Sequence, residues 1–178
     1  MKEIKILARA GQGAITTATL LGTAVYESGK YAYAFPHFGA ARMGAAMNAF
    51  VRIDDKPVRD KSQIKIPDYL IVIDSTLIPE TDLNSLVKHN GIIIINQQNK
   101  EKIVKETNNV TIYYVAGNEI AQEILGRPLG NTVLVGAFAY VTKEFGLDSL
   151  INSINKRFKG KVSEQNIELA KRGYEYLK

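Results

Sequence analysis

The chain contains no cysteine, only two histidines and no long apolar run, and each of these absences excludes a class of function. Without cysteine there is no disulfide, no thiolate chemistry and no iron–sulfur cluster ligated by this chain. His37 and His89 lie far apart with no carboxylate pattern around them, which argues against a metal site. No apolar stretch approaches the roughly 20 residues that span a bilayer. We therefore expect no metal site, no membrane attachment, and any redox centre on another chain.

Bulk properties predict a single soluble domain over residues 1–178. The chain is 46% hydrophobic and 23% charged, which is ordinary for a globular protein. Its first residues run directly into a predicted strand with none of the features of a secretory leader, so we expect a cytoplasmic location. The net charge is +5, but the basic residues near the C-terminus are interleaved with glutamates. Such interleaving favours a solvated helix face over a nucleic-acid groove.

The chain is organised around its first predicted strand-to-helix turn. An apolar strand ends at the sequence Ala10-Gly11-Gln12-Gly13-Ala14, and a helix follows over residues 14–28. Glycines allow a tight turn and close approach of a ligand, while the start of a helix offers unpaired N–H groups to an anion. This arrangement is typical of a phosphate-binding loop.

A complete dinucleotide-binding fingerprint is missing from this loop. The third glycine of that motif would fall at Thr16, and the acidic residue at the end of the next strand is replaced by Phe35-Pro36-His37. NAD is therefore disfavoured as the ligand.

The remaining pattern alternates between strand and helix. We predict strands over residues 31–35, ended by Pro36, and 47–53, with a hairpin partner that begins at Val58. Nearly continuous apolar runs predict central strands at 69–74, 92–96 and 111–115, and residues 97–109 as connector or helix. Helices are predicted over 83–89, 119–125, 133–145, 147–158 and 163–176. The fold class is α/β, a three-layer α/β/α Rossmann-like, mostly parallel sheet with a β-hairpin excursion.

In such sheets a ligand lies beyond the carboxyl ends of the strands, where the first glycine turn should meet the loop His37 to Gly44. Asp74 falls at one of these strand ends, and capping of the next segment is its default role. Asn131 and Thr132 are predicted to cap a helix. Arg52 and Arg59 are interpreted as solvent or interface residues.

The order of these motifs resembles that of a known family. Ala10-Gly11-Gln12-Gly13-Ala14, Ala34-Phe35-Pro36-His37-Phe38-Gly39, Arg42-Met43-Gly44-Ala45 and Leu125-Gly126-Arg127-Pro128 resemble the gamma subunit of pyruvate and related 2-oxoacid:ferredoxin oxidoreductases. The resemblance covers nearly the whole chain. Two details depart from the usual pattern, since the family commonly has Gly-Gly-Gln-Gly in the first loop and Arg-Gly-Gly or Arg-Arg-Gly in the second.

The resemblance implies a subunit of a heteromeric enzyme that oxidatively decarboxylates a 2-oxoacid to an acyl-CoA. Its partners would be alpha, beta and delta subunits, with ferredoxin as the electron acceptor of the complex. Thiamine diphosphate, Mg and [4Fe-4S] clusters are implied in partner subunits only. This chain would contribute no catalytic residue and no metal ligand, but part of the coenzyme A pocket. Pyruvate is the first choice of substrate, and branched-chain 2-oxoacids are the nearest alternative.

Nine residues are the candidates for coenzyme A binding, and each has a structural alternative. They are Gly11, Gln12, Gly13, Ala14, Pro36, His37, Phe38, Arg42 and Gly44. For the glycines the alternatives are a tight turn without a ligand and a subunit contact. The Gln12 amide has no evident structural use in a turn, which favours a ligand or partner bond. Arg42 either binds an anion or pairs with Asp74 or a helix C-terminus.

His37 is expected to line the pocket rather than to act as a base, and Lys30 is placed near this anion site. Exposed apolar side chains over residues 31–35 and 38–47 suggest an interface with other subunits. A rival function of another class is a free-standing nucleotide-binding or regulatory module.

Overall fold

A computed structural model describes residues 1–37, 43–78, 83–97, 104–107 and 109–178. The strands are β1 (Lys2–Arg9), β2 (Tyr31–His37), β3 (Ala46–Asp54), β4 (Tyr69–Val72), β5 (Ile92–Asn96), β6 (Val104–Thr107) and β7 (Val110–Val115). The helices are α1 (Ala14–Glu27), α2 (Gly117–Leu125), α3 (Asn131–Thr142), α4 (Leu147–Arg157) and α5 (Gly160–Tyr176). Two 3-10 turns cover Ser75–Leu77 and Leu83–Leu86.

The strands form one mixed sheet with the order β2-β3-β1-β4-β5-β7-β6. Neighbours β1, β4, β5 and β7 are parallel, while β3 and β6 run against the strands beside them. The carboxyl ends of β1, β2, β4, β5 and β7 therefore share one edge of the sheet with the beginning of β3. We call this the carboxyl edge.

Local sequence explains why the central strands lie where they do. Every residue of β4 is buried, as are four of the five residues of β5, because apolar side chains project from both faces into cores. In β1, by contrast, buried residues alternate with half-exposed ones, so that Ile4, Ile6 and Ala8 face the helices.

The two faces of the sheet carry cores of different size. The larger core unites residues of all five helices with one face of the sheet. The smaller core joins Leu70, Val72, Ile93 and Ile95 to Val87 in the connection between β4 and β5. The predicted α/β class is confirmed, with the third layer formed by short 3-10 turns and connecting segments in the part of the chain described.

Two glycines set the close crossing of α3 and α5. A Cβ atom at Gly136 would collide with the Ala170 carbonyl, and one at Gly173 would collide with the Val133 backbone. The close packing of α3 against α5 therefore depends on glycine from both helices.

The predicted partner of β3 was wrong. Within the described residues nothing from Asp55 to Asp68 forms a strand, and β3 pairs instead with β2. Pro36 does not end β2 but pairs with Ala49, which is possible because β2 is an edge strand whose outer side needs no N–H donor. Strand β6 replaces part of the predicted connector because it adds antiparallel to β7.

Asn131 and Thr132 do not cap α3, contrary to expectation. Gly130 is the N-cap residue, and both side chains are buried inside the first turn. The Thr132 hydroxyl donates to Asn166 Oδ1 of α5 at 2.8 Å. These side chains connect helices, a use that the local sequence does not distinguish from capping.

Arg52 is buried, at 1% exposure, and the prediction of a solvent or interface position was wrong. Its Nε lies 3.0 Å from Glu3 Oε1, and Nη1 donates to the carbonyl oxygens of Ser62 at 2.7 Å and Asp60 at 3.2 Å. A buried guanidinium is tolerated because these groups replace its hydration. Arg52 thereby fixes the segment after β3 against the sheet, while Arg59 is exposed as expected.

Candidate ligand site at the carboxyl edge

The first turn leaves the start of α1 open to a ligand. Gly11 and Gly13 have φ angles of +101° and +86°, which other residues rarely adopt. Gly13 is the N-cap residue of α1, no side chain of the described residues caps that helix, and its first turn carries no acidic residue. The unpaired N–H groups and the positive end of the helix dipole are therefore available to an anion.

Gly13 is constrained by packing as well as by its backbone. A Cβ atom there would lie 2.8 Å from the Asn131 side chain, which is itself 3% exposed. The Asn131 amide lies 3.4 Å from Thr17 Oγ1, and the Thr17 amide donates to the Gly13 carbonyl. The first turn is thus seated directly against the beginning of α3.

The second loop meets the first turn at Gly44. The Gly44 amide donates to the Ala10 carbonyl at 3.1 Å, and the Ala10 amide donates to the Ala45 carbonyl at 2.9 Å. Gly44 has a φ of +81°. The predicted convergence of the two glycine segments is confirmed for this residue. Beside it Met43 is 89% exposed.

The Gln12 amide has a structural use, so the argument that it has none was wrong. Its Oε1 accepts the Arg9 backbone N–H at 2.7 Å, and its Nε2 donates to Asp74 Oδ2 at 2.8 Å. Gln12 therefore joins the end of β1 to the segment after β4. Its role toward a ligand stays a prediction.

Arg9 is the cation at this edge that the sequence analysis missed. Its Nε lies 3.2 Å from Asp74 Oδ2, Nη2 donates to Thr76 Oγ1 at 3.1 Å, and Nη1 donates to the Gly44 carbonyl at 3.2 Å. One guanidinium thus connects the carboxyl end of β1, the second loop and the segment after β4. An arginine two residues before the first glycine was the clue in the sequence.

Asp74 is the acceptor at the centre of this cluster. It caps the first 3-10 turn through the Thr76 amide at 3.0 Å, as predicted, and accepts the Thr76 hydroxyl at 2.5 Å. Burial acts to raise its pKa, but the bonds from Thr76 and Gln12 and the charge of Arg9 outweigh burial and lower it. Asp74 is therefore an anion at neutral pH and cannot act as a proton donor there.

Of the remaining residues that the structure describes, Pro36 and His37 lie at the same edge and Lys30 does not. Pro36 and His37 are exposed at the carboxyl end of β2, and the His37 ring lies 6.2 Å from that of Phe50. Phe38 and Arg42 lie outside the described residues. Lys30 precedes β2 at the opposite edge and pairs with Glu144 at 2.8 Å, so its expected place near the anion site was wrong.

Two asparagine side chains, of which Asn96 is buried and Asn118 half-buried, extend the polar cluster along the edge. Asn96, at the end of β5, donates to the Ile73 carbonyl at 3.0 Å and accepts the Asn118 amide N–H at 3.1 Å. Asn118 in turn accepts the Gly130 amide N–H at 3.2 Å. These bonds place the beginnings of α2 and α3 at the carboxyl edge. In the sequence, the sign of this arrangement is the single asparagine, Asn96, that ends the apolar run of β5.

Two other kinds of feature, a metal site and a membrane-spanning helix, are not found among the described residues. In the described ranges no three histidine, aspartate or glutamate side chains are grouped as metal ligands would be. None of the helices seen there is long and apolar enough to cross a membrane. A cavity of about 400 Å³ beside Lys30, Glu144 and Tyr174 lies away from both glycine segments.

Comparison with known proteins gives matches over the full fold. A family model described as pyruvate ferredoxin/flavodoxin oxidoreductase matches residues 3–176. Pyruvate synthase subunit PorC of Methanothermobacter thermautotrophicus is 43% identical over 177 residues, covering 99% of this chain and 96% of that protein. The pyruvate/ketoisovalerate oxidoreductases common subunit gamma of Thermococcus kodakarensis is 40% identical over 179 residues, covering 98% and 96%.

Solved structures agree with this fold. Pyruvate oxidoreductase subunit PORC from Thermotoga maritima superposes with a TM-score of 0.81 at 33% identity, covering 98% of this chain and 97% of that one. 2-Oxoglutarate:ferredoxin oxidoreductase from Magnetococcus marinus shares the fold alone, with a TM-score of 0.78 at 16% identity. It matches 99% of this chain over 31% of its own length.

Proposed function

The chain belongs to the pyruvate ferredoxin/flavodoxin oxidoreductase family, and from that premise we propose that it is the gamma subunit of a heteromeric pyruvate:ferredoxin oxidoreductase. The complex would convert pyruvate, coenzyme A and two oxidised ferredoxins into acetyl-CoA, CO₂, two reduced ferredoxins and a proton. The names of the methanogen and Thermotoga relatives favour pyruvate as the substrate.

The chemistry is divided between subunits in this proposal. Thiamine diphosphate with Mg supplies the carbanion chemistry and [4Fe-4S] clusters carry the electrons, each held by the alpha, beta or delta subunits. A chain without cysteine cannot ligate such clusters through thiolates, which agrees with that division. The gamma chain would bind and orient coenzyme A and exclude water from the shared site.

One observation carries the coenzyme A assignment: the two glycine segments are hydrogen bonded to each other beside the uncapped start of α1. A phosphate can reach the backbone N–H groups there because Gly11 and Gly13 have no side chains. Gln12, Pro36, His37 and Gly44 would complete the wall of the pocket, and Ala14, whose side chain is buried in the core, would contribute its backbone N–H. Phe38 and Arg42 remain in the proposal from their place in the sequence.

Exposed apolar side chains beside the site support contact with other subunits. Met43 is 89% exposed and Ile15 is 41% exposed. Apolar groups in such positions are typical of an interface core. We place alpha and beta subunits over this surface, with delta and ferredoxin completing a cytoplasmic complex.

The test is a coenzyme A titration of the reconstituted complex with Gly11→Ala and Arg42→Ala gamma chains. Gly11 is preferred over Gly13 because its Cβ would meet only the flexible Met43 side chain. We expect the KM for coenzyme A to rise at least about tenfold while subunit assembly and the KM for pyruvate stay unchanged. An unchanged coenzyme A KM in both variants contradicts the assignment.

Two alternatives have separate outcomes. The Thermococcus relative is named as a subunit common to pyruvate and ketoisovalerate oxidoreductases, so activity of the complex with branched-chain 2-oxoacids is the nearest alternative, followed by 2-oxoglutarate. A stand-alone nucleotide-binding regulatory module would bind ATP or NAD tightly without partner subunits. Calorimetric titration of the isolated chain decides that second case.

A further inference from the structure

The Arg9 guanidinium is held in place but not saturated. Hydrogen bonds to the Gly44 carbonyl and the Thr76 hydroxyl use one N–H of each terminal nitrogen, and Nε lies beside Asp74. The second N–H of each terminal nitrogen has no partner among the described residues. The side chain is 39% exposed, so a ligand can reach the guanidinium. Guanidinium N–H donors form charge-assisted hydrogen bonds with phosphate oxygens.

The surrounding residues fix the orientation of this guanidinium. Asp74 Oδ2 faces Arg9 Nε and also accepts the Gln12 amide, while Asp74 Oδ1 accepts both donors of Thr76. The Asp74 side chain is 13% exposed, so solvent competes little with these bonds. Because Gln12 also accepts the Arg9 backbone N–H, the backbone and the guanidinium of Arg9 are held by the same cluster of side chains.

The cluster also lies next to the turn that opens toward a ligand. Arg9 precedes Gly11 by two residues, and its Nη1 binds the carbonyl of Gly44, whose own amide binds Ala10. An anion at the start of α1 would therefore have a rigid cationic fork within the same small region. A mobile lysine would lose more conformational entropy on binding in this position.

We propose that Arg9 recognises the phosphates of coenzyme A through the second N–H of each terminal nitrogen, and that Asp74 is the positioning residue that orients the guanidinium. This inference rests on the proposed function, because it assumes that coenzyme A binds at this edge. It adds Arg9 to the residues of the proposed coenzyme A site, and it gives the Asp74 carboxylate a role beyond capping.

The experiment compares acceptors with and without phosphates. Complexes with Arg9→Met, Asp74→Asn or both are assayed with coenzyme A, with dephospho-coenzyme A and with pantetheine, which has no phosphate. Arg172→Met is the matched control, since Arg172 is an exposed arginine paired with Glu123 on distant helices. Thermal unfolding and gel filtration verify that each complex is folded and assembled.

Arg9→Met is expected to raise the KM for coenzyme A about 10- to 100-fold, the range for loss of charge-assisted hydrogen bonds, while the KM for pantetheine changes less than about twofold. Asp74→Asn should act in the same direction, and the double variant should resemble Arg9→Met alone, because Asp74 acts through Arg9. Dephospho-coenzyme A reports which phosphate is bound. Arg172→Met should leave every KM unchanged.

Three results would overturn the inference in distinguishable ways. Equal losses with coenzyme A and pantetheine would show that Arg9 only maintains the fold. No effect of Arg9→Met while Gly11→Ala weakens coenzyme A would leave the proposed function intact and remove Arg9 from it. No effect of either variant would contradict the proposed function itself. If the complex with Arg9→Met fails to assemble, Arg9→Lys is assayed instead, since lysine keeps the charge but lacks the planar guanidinium.

Discussion

The Asn131 side chain lies 2.8 Å from the position that a Cβ atom of residue 13 would take, which is too close for any residue but glycine unless Asn131 moves. Two constraints therefore act on residue 13, a left-handed backbone with φ of +86° and a close contact with the buried Asn131 amide. The effects of the two constraints on stability can be separated by experiment, because Gly29 has a nearly identical φ of +87° with nothing within 4 Å of its missing Cβ.

Gly13→Ala is expected to lower the free energy of unfolding by about 2–4 kcal/mol, of which about 1–2 kcal/mol reflects the left-handed backbone. Gly29→Ala should cost only that backbone part. Urea denaturation of the two variants measures the difference. Equal losses of unfolding free energy in the two variants would mean that Asn131 moves aside without cost. If the contact with Asn131 causes the larger loss in Gly13→Ala, combining that change with Asn131→Ala should recover the difference between the two variants.

Arg52→Ala should destabilise the chain by about 3 kcal/mol, because it removes a buried side chain and takes its donors from Glu3 Oε1 and from the carbonyl oxygens of Asp60 and Ser62. Arg59→Ala, at an exposed position in the same segment, is the control and should stay within about 0.5 kcal/mol. Limited proteolysis should also cut residues 55–68 faster in Arg52→Ala. Similar stability of the two variants would contradict the anchoring role of Arg52.

Stability should fall in acid through Asp68. Burial acts to raise the pKa of Asp68, but bonds from Lys88 and the Glu3 amide, with the charges of Lys88 and Lys2, lower it overall. A lowered folded-state pKa gives stability that is present above the unfolded value of 3.8 and is lost as pH falls through the folded value. Denaturation curves from pH 7 to 2 should therefore show a smaller acid loss for Asp68→Asn than for the unmodified chain.

Lys88 should cause stability to fall at alkaline pH. Burial acts to lower the pKa of Lys88, but Asp68 and Glu3 raise it overall, so its contribution is complete below the unfolded value of 10.5 and is lost as pH rises through the folded value. Lys88→Met should flatten the alkaline decrease in stability measured by thermal unfolding. An alkaline limb of unchanged steepness would assign that decrease to other groups.

Met43→Ser tests the proposed subunit interface. Met43 is 89% exposed in the isolated chain, so its replacement should change the free energy of unfolding by less than about 0.5 kcal/mol. In the complex it should weaken subunit association at least about tenfold, as measured by analytical ultracentrifugation. Val162→Ser, an exposed apolar residue of α5, is the control and should associate normally. Unchanged association of Met43→Ser would move the interface away from the second loop.

Much of the fold is readable from local sequence. The apolar runs of β4 and β5 predict buried strands because every side chain in them needs an apolar environment on one face or the other. The glycines at 11, 13 and 126 predict the ends of elements because their left-handed backbones exclude most other residues. The hairpin partner of β3 was mispredicted because that partner, β2, precedes β3 in the chain. The sequence of neither strand specifies which strand lies beside it.

Local sequence is enough to predict that β1 ends in a glycine turn, that α1 begins without a cap, and that no cysteine is available for a redox centre. The cluster of Arg9, Gln12, Asp74 and Thr76, and the burial of Arg52 but not of Arg59, become visible only in the folded chain. Backbone conformation and hydrophobic burial are short-range properties that individual residues express. Polar partnerships are set by which strand ends meet at the carboxyl edge, and that depends on the order of strands in the sheet.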